Sequence, residues 1–511
     1  MKKLLLITFL FSAFELNAQT TAYFKVANHG SLLTIQKVSS GGYITIGQDS
    51  VWKMQIIRWD DNFVPMWKYK ITDSLTLQAS MRIAEANDGS FYFSSSSTEY
   101  SGSTWVIKFS STGTELWQKV YYQPGGNTNT FAFSKAATGD NGFLFGGGSC
   151  YMSNYIVKCD ANGAIQWQNQ YIYPLSTGVI TCFSIIPDGN GYVVSSSYNI
   201  NSLLTMKLDS YGTVTSHTAY TYAGMQIMPT RIVKLNASGG YAIVGNYNNS
   251  NNNKTEFVAI YSSSLALLSF NELTVTYDQF TLWDITPINN GANVIVSGSI
   301  YHNYLSNTAL INLSASGSIV WKKRSTGVAS GIKNVEFYGV TTHGNLTLAC
   351  GYGYNEGCIF SLTDNNGAGL CNDQTFDLVN VQPTLALQSA TITTVAGTAA
   401  VATVNYTYNT SVNYNKLLYC GAIGTNDLAI TNQDIDIFPN PAYSNLNLNI
   451  PAFADMSNAV IEIYSLEGKL IKSYKAENDN VSIDISALNE GIYLIKLSDD
   501  KNVAVKRFVK L

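Results

Sequence analysis

The sequence predicts an all-β protein, a seven-bladed β-propeller followed by a small C-terminal Ig-like β-sandwich. Three observations predict it. Trp67, Trp117 and Trp167 recur at a spacing of 50 residues, the period of a four-stranded blade. A glycine followed by an apolar strand occurs seven times, at Gly42, Gly89, Gly142, Gly191, Gly240, Gly291 and Gly344. From residue 434 the repeat gives way to short alternating strands joined by hairpin turns.

Each repeat continues from its glycine strand into a strand, a tight turn and a further strand. The first six copies read IIRWDDNFVPMW, VIKFSSTGTELW, IVKCDANGAIQW, TMKLDSYGTVTS, VAIYSSSLALLS and LINLSASGSIVW, and the seventh reads IFSLTDNNGAGL. The turn has a mechanical reason. Asp160 or Ser314 can accept hydrogen bonds from the backbone ahead of it, and Gly163 or Gly317 supplies the positive φ that a short hairpin needs. The closing Trp, or Leu370 in the last copy, is the large apolar plug expected between neighbouring blades.

Length and composition agree. A chain of 511 residues exceeds one compact core, so a propeller over residues 19–371 plus a smaller domain fits. Charged residues are only 13%, against roughly 25% in an ordinary soluble domain, and Ser, Thr, Asn, Gly and 33 Tyr fill the difference. A net charge of −4 and the lack of any basic run argue against a nucleic-acid partner.

Residues 1–18 read as a signal peptide. Lys2 and Lys3 precede an apolar stretch, and Leu16-Asn17-Ala18 forms a small-residue cleavage site, so Ala18 and Gln19 flank the expected cut. The apolar run is shorter than the ~20 residues of a membrane span, and no later stretch is apolar enough for a transmembrane helix.

Seven cysteines suit an oxidising destination. Cys150 with Cys159, and Cys350 with Cys358, flank equivalent loops in the third and seventh repeats and are candidate cross-strand disulfides. Cys371 and Cys420 bound a Thr/Val-rich β segment, residues 372–420, uncharged over residues 384–404, which a bridge would pin to the end of the propeller. Cys182 is left as a buried small hydrophobe. No spacing fits zinc, and the acidic turn Asp188-Gly189-Asn190-Gly191 lacks the ligand alternation of a calcium loop, so no metal or other cofactor is expected.

A polar linker, residues 421–433, leads to the terminal domain, residues 434–511. Val481, Ile483 and Ile485 alternate with polar residues, giving one apolar face. Three landmarks follow in order: Pro439-Asn440-Pro441, a hairpin through Gly468, and Gly491-Ile492-Tyr493 with Lys506 near the end. With these residues the tail resembles the type A C-terminal sorting domain of the type IX secretion system of certain Gram-negative bacteria. The resemblance implies engagement with the outer-membrane secretion machinery, removal of the domain near the linker, and a secreted or cell-surface destination.

No HExxH, GxSxG, P-loop or GxGxxG pattern occurs in a productive context. The spacing of Asp160, Gly163 and Trp167 is similar to the tryptophan-docking motif of quinoprotein dehydrogenases. That family's turn is one residue longer, its propellers usually have eight blades, and it carries vicinal cysteines, so a structural Trp is the better reading here.

The loops between second and third strands vary most in length and carry an aromatic in every repeat: Trp52, Tyr100, Tyr151, Tyr198, Tyr247, Tyr304 and Tyr354. This rim is expected to bind a glycan or a surface protein, because Tyr offers a flat apolar face and a hydroxyl. The expected function is therefore a non-catalytic binding module. A polysaccharide-active enzyme or a quinoprotein-like propeller is the alternative.

Overall fold

The computed structural model describes residues 22–25, 30–49, 53–71, 82–97, 103–122, 134–148, 154–172, 181–198, 201–222, 226–248, 254–275, 279–302, 305–325, 335–353 and 357–364, the strands within 367–421, and residues 436–449, 460–465, 470–476, 480–498 and 503–511. The chain divides into two compact units, Met1–Ala422 and Ile423–Leu511.

The first unit contains seven antiparallel five-stranded sheets. Their inner strands, starting with Ser31–Lys37 of blade 1 and Arg82–Glu85 of blade 2, touch one another in order. Val335–His343 of blade 7 comes back against Ser31–Lys37. That closed circle makes the unit a propeller. The third strands are buried on both faces, as in Met54–Trp59 and Ser103–Phe109, because each blade packs between two others. The apolar clusters accordingly straddle adjacent blades; one joins Ile44, Ile46 and Ile56 of blade 1 to Phe91, Phe93 and Trp105 of blade 2.

The turns behave as their residues require. Asp160 Oδ1 accepts from the backbone N–H groups of Asn162 and Ala164, both at 2.8 Å, while Gly163 takes φ of 76°. Ser314 repeats this with Ser318 at 3.1 Å. The tryptophans then use these turns. Trp67, Trp117 and Trp167 donate from Nε1 to Ser111, Ala161 and Ser210 carbonyls at 3.4, 3.1 and 3.0 Å, each in the turn of the next blade. Tyr121 and Tyr171 add bonds to Gly163 and Gly212 carbonyls at 2.8 and 2.6 Å. A Cβ placed on Gly113 would stand 2.6 Å from Trp67, and one on Gly212 2.6 Å from Trp167, so the glycines provide contact surface as well as positive φ.

Blade 7 differs from the sequence expectation. Its fourth strand is Ala22–Lys25, which pairs with Gly357–Asp364 so that the N-terminal strand closes the ring; Leu370 lies outside the described residues. The Thr/Val-rich stretch differs more. Its short strands run backwards round the wheel and give each blade a fifth, outermost strand. Asp373–Gln374 joins blade 6, Leu378–Val381 blade 5, Ala386–Gln388 blade 4, Thr393–Ala396 blade 3, Ala400–Thr403 blade 2, Tyr408–Asn409 blade 1 and Leu417–Gly421 blade 7. The segment is a belt belonging to the propeller, which therefore extends past residue 371.

The register also corrects two disulfide expectations. Cys159 lies opposite Phe143, whereas the loop holding Cys150 follows Gly148, at the other end of the same hairpin. Cys159 is a free thiol, which leaves the expected pairing unmade. Cys350 faces Phe360 while Cys358 faces Tyr352, two residues out of register. Cys159 and Cys350 are buried thiols, and burial pushes that of Cys159 up to about 12. Cys420 lies opposite Tyr23 in the last belt strand; Cys371 and Cys150 lie outside the described residues, as do the side chains of Cys182, Cys358 and Cys420.

Two consequences are testable. Gly113→Ala adds positive-φ strain and a clash with Trp67, and should lower propeller stability by about 2–4 kcal/mol in urea titration followed by Trp fluorescence. Deleting residues 373–421 leaves every blade with a bare edge strand. The product should elute as aggregate in size-exclusion chromatography with light scattering, where the intact chain does not.

Candidate functional site

A groove of about 680 Å³ opens between blades 3 and 4. It is built from the tight turns of the first-to-second and third-to-fourth strands, the face opposite the variable loops. Thr138, Gly139 and Asp140 come from the first turn of blade 3, and Lys158, Gln166 and Trp167 from its last two strands. Blade 4 supplies Asn190 and Tyr192 from one turn and Ser210 and Tyr211 from the other.

Local bonding holds these groups in place. The Lys158 ammonium lies 2.6 Å from Asp140 Oδ2 and also donates to Gln166. Burial pushes the Asp140 carboxyl up, but hydrogen bonds from Lys158 and Thr138 outweigh it and hold the group at about 2. Asp209 Oδ1 accepts from the N–H groups of Tyr211 and Thr213 at 2.9 and 2.8 Å, presenting the Tyr211 ring with 75% of its surface exposed. Trp167 is fixed through Ser210, and Asn169 donates to the Tyr211 carbonyl at 3.0 Å. The result is a rigid wall of aromatic surface interrupted by one anchored carboxylate, an ammonium and two amides.

The acidic turn beside the groove has a structural occupation. Asp188 accepts from Lys234, Lys207 and the Tyr241 hydroxyl at 2.5, 3.2 and 2.7 Å, tying blade 4 to blade 5.

The aromatic rim is placed as follows. Trp52, Tyr100, Tyr151, Tyr304 and Tyr354 lie outside the described residues. Tyr198 ends a strand opposite Ser202. Tyr247 is only 4% exposed; its hydroxyl donates to Glu272 at 2.6 Å and its ring packs edge-on against Tyr222. Its ring is taken up by the cluster with Phe257, Phe270 and Tyr222 and is not presented at the surface. Asp140, Lys158, Tyr192 and Tyr211 were not singled out by sequence. The signal available was the Trp167 turn motif and the Asp188–Gly191 turn, which border the groove.

The second unit is a three-stranded and a four-stranded sheet packed on a common core that includes Leu446, Ile463, Ile483, Ile495 and Phe508. Its landmark residues meet on the last strand, Val503–Lys510. Asn440 donates to the Arg507 carbonyl at 3.1 Å and accepts from the Val509 N–H at 2.9 Å, and Ala442 pairs with Lys510. Tyr493 stacks on Phe508 at 5.6 Å between centroids and donates to the Asn489 carbonyl at 2.9 Å. Pro439 and Pro441 flank Asn440, Gly491 opens the strand facing Val503–Lys510, and Lys506 lies opposite Ile495; Gly468 is outside the described residues.

Residues 436–511 match the secretion system C-terminal sorting domain. The match marks the chain for export by the type IX system to the cell surface or the extracellular space. No curated protein matches the sequence. Among solved structures, the propeller domain of Nup133 from Vanderwaltozyma polyspora is similar with a TM-score of 0.37 and 11% identity over 67% of this chain and 98% of that one. A protein of unknown function from Bacteroides caccae is similar with a TM-score of 0.35 and 12% identity over 58% of this chain and 94% of that one. Likeness at this distance carries no information on ligand or activity.

Asn440→Ala removes the two side-chain bonds that hold the landmark turn to the final strand, leaving the backbone bonds at Ala442. Denaturation of the terminal unit should show a loss of about 1–3 kcal/mol, and immunoblotting should find the protein retained inside cells instead of in the medium or at the surface.

Proposed function

We propose that the exported propeller is a non-catalytic binding module for a glycan, and that the groove between blades 3 and 4 is its site. The observation that carries this reading is the groove's make-up. The exposed Tyr211 and the half-buried Trp167 supply ring faces for the apolar C–H surface of a sugar, with Tyr192 buried behind them. Asp140, Asn190, Gln166 and Lys158 supply acceptors and donors for hydroxyls at fixed positions. The volume of about 680 Å³ suits a short stretch of a sugar polymer. A surface protein is the second class of ligand that such a face fits.

In the same reading, cleavage after Ala18 leaves Gln19 at the start of the mature chain, and removal of the sorting domain takes place between the two units. Hydrolysis or elimination would need a carboxylate free to move protons. Asp140 is committed to Lys158 and Thr138, and this favours binding over turnover.

Glycan-array binding of the mature propeller tests the proposal. Tyr211→Ala and Asp140→Ala should each weaken binding by about tenfold or more, equivalent to ~1.4 kcal/mol. Because the Asp140 carboxyl stays ionised far below its ordinary value, wild-type affinity should hold from about pH 8 down to about pH 4. Binding unchanged in both variants, or no glycan bound, would remove the groove from consideration.

A further inference from the structure

The seam between blades 5 and 6 carries a second feature, independent of the groove. Ala242, Val244, Val258, Ile260 and Leu273 of blade 5 pack there against Phe280, Leu282 and Ile300 of blade 6. Strand alternation places Asn246 and Glu256 on the same face, because they continue the rows of Val244 and Val258. The register sets these two residues directly opposite each other, with Leu273 on the far side of Glu256. Both are buried, Glu256 to 1% exposure and Asn246 to 7%.

A charge in an apolar seam is costly unless it is well paired. Lys254 Nζ lies 2.9 Å from Glu256 Oε1, but the lysine side chain is 41% exposed, so solvent screens the attraction. The Leu282 backbone N–H of blade 6 also favours the charged form. Burial outweighs both and pushes the Glu256 carboxyl up to about 7. The other titratable side chains described on the packed strands are engaged elsewhere. Glu272 accepts from the Tyr247 hydroxyl at 2.6 Å on the opposite face of blade 5, Asp284 of blade 6 pairs with Arg231 at 3.3 Å, and Tyr301 bonds to Glu336 of blade 7. Across the strand pair from Glu256, Asn246 Oδ1 has no hydrogen-bond donor among the described residues. Two acceptors therefore face each other while the carboxyl is ionised, and the amide oxygen stays unsatisfied. One proton resolves the conflict, because a neutral carboxylic acid has an O–H to donate.

We propose that Glu256 and Asn246 form a pH-sensitive latch on the seam of blades 5 and 6, closed when the protonated carboxyl donates its O–H to the amide oxygen. The folded chain keeps this proton at pH values where the unfolded chain, at the ordinary value of 4.5, has lost it. The latch's contribution to stability is therefore complete below about pH 4.5 and is lost as the pH rises through about 7. Above that point the carboxylate is left to Lys254 and the Leu282 N–H, and the blade-6 strand Gln279–Ile288 is held less tightly.

Infrared difference spectroscopy and thermal unfolding of the whole chain between about pH 5 and about pH 8.5 test this. The wild type should lose a carboxylic-acid C=O band with a midpoint near 7, and Glu256→Gln should lack that band. Glu256→Gln is neutral throughout, so its Tm should stay close to that of the wild type at about pH 5 and exceed it by about 3 °C or more at about pH 8.5. Asn246→Leu should move the infrared midpoint down, because the acid form loses its acceptor. A midpoint that rises in Asn246→Leu would mean that the amide donates to the carboxylate, and it would overturn the latch. So would a wild type without the band, or a Tm difference between wild type and Glu256→Gln that does not change with pH. The wild-type spectrum decides the matter even where a variant fails to fold.

Discussion

The contact on which the propeller depends is the seating of one blade's last strand on the tight turn of the next. Trp67, Trp117 and Trp167 lie against Gly113, Gly163 and Gly212, and each indole N–H is bonded within the same turn. A flat ring needs a neighbour without a Cβ to come this close, and the turn needs a residue that accepts positive φ; glycine meets both requirements at once. Trp321 against Gly367 repeats the arrangement between blades 6 and 7. In blade 5, where Ser269 stands in place of the Trp, Asn271 two residues on lies against Gly317 instead. Each contact is local, but it orients the next sheet. The sum of these orientations brings blade 7 back to blade 1.

Closing the circle and closing the edges are handled by the two ends of the same unit. The N-terminal strand Ala22–Lys25 supplies blade 7 with a fourth strand, so the ring is joined across its ends. The belt from Asp373 to Gly421 then pairs with the outer strand of each blade, ending beside the N-terminal strand. Exposed strand edges invite pairing with other chains, and a protein destined for the cell exterior has no cytoplasmic chaperones to shield them. The sorting domain begins only after the belt is complete, and it has a core of its own, so each unit retains its packing when considered alone.

The groove and the bulged inner strands reflect different ways of building on a propeller. The groove depends on turns whose backbone is fixed by Asp209 and by the Lys158–Asp140 pair, so its aromatic groups are held before any ligand arrives. The inner strands carry bulges beside which Ser184 and Asp284 accept from backbone N–H groups of the following blade, Ile232 and Val340.

Local chemistry made the blades, their turns and the tail readable from sequence. The 50-residue recurrence of Trp, the Asp160–Gly163 turn and the alternation of Ile483 and Ile485 are short-range patterns, and strand formation follows them directly. Loop variability, by contrast, directed attention to the wrong element at Tyr247, because burial depends on how far a strand continues between sheets and not on residue type. The Cys350–Cys358 expectation failed for a similar reason, since spacing does not give register. Tertiary structure alone decided that the strands within residues 373–421 encircle the wheel, that residues 22–25 close it, that Asp140 and Tyr211 line one groove, and that Arg231 pairs with Asp284. These pairs come from different blades, and the sequence of one blade does not encode the rotation that carries it to the next.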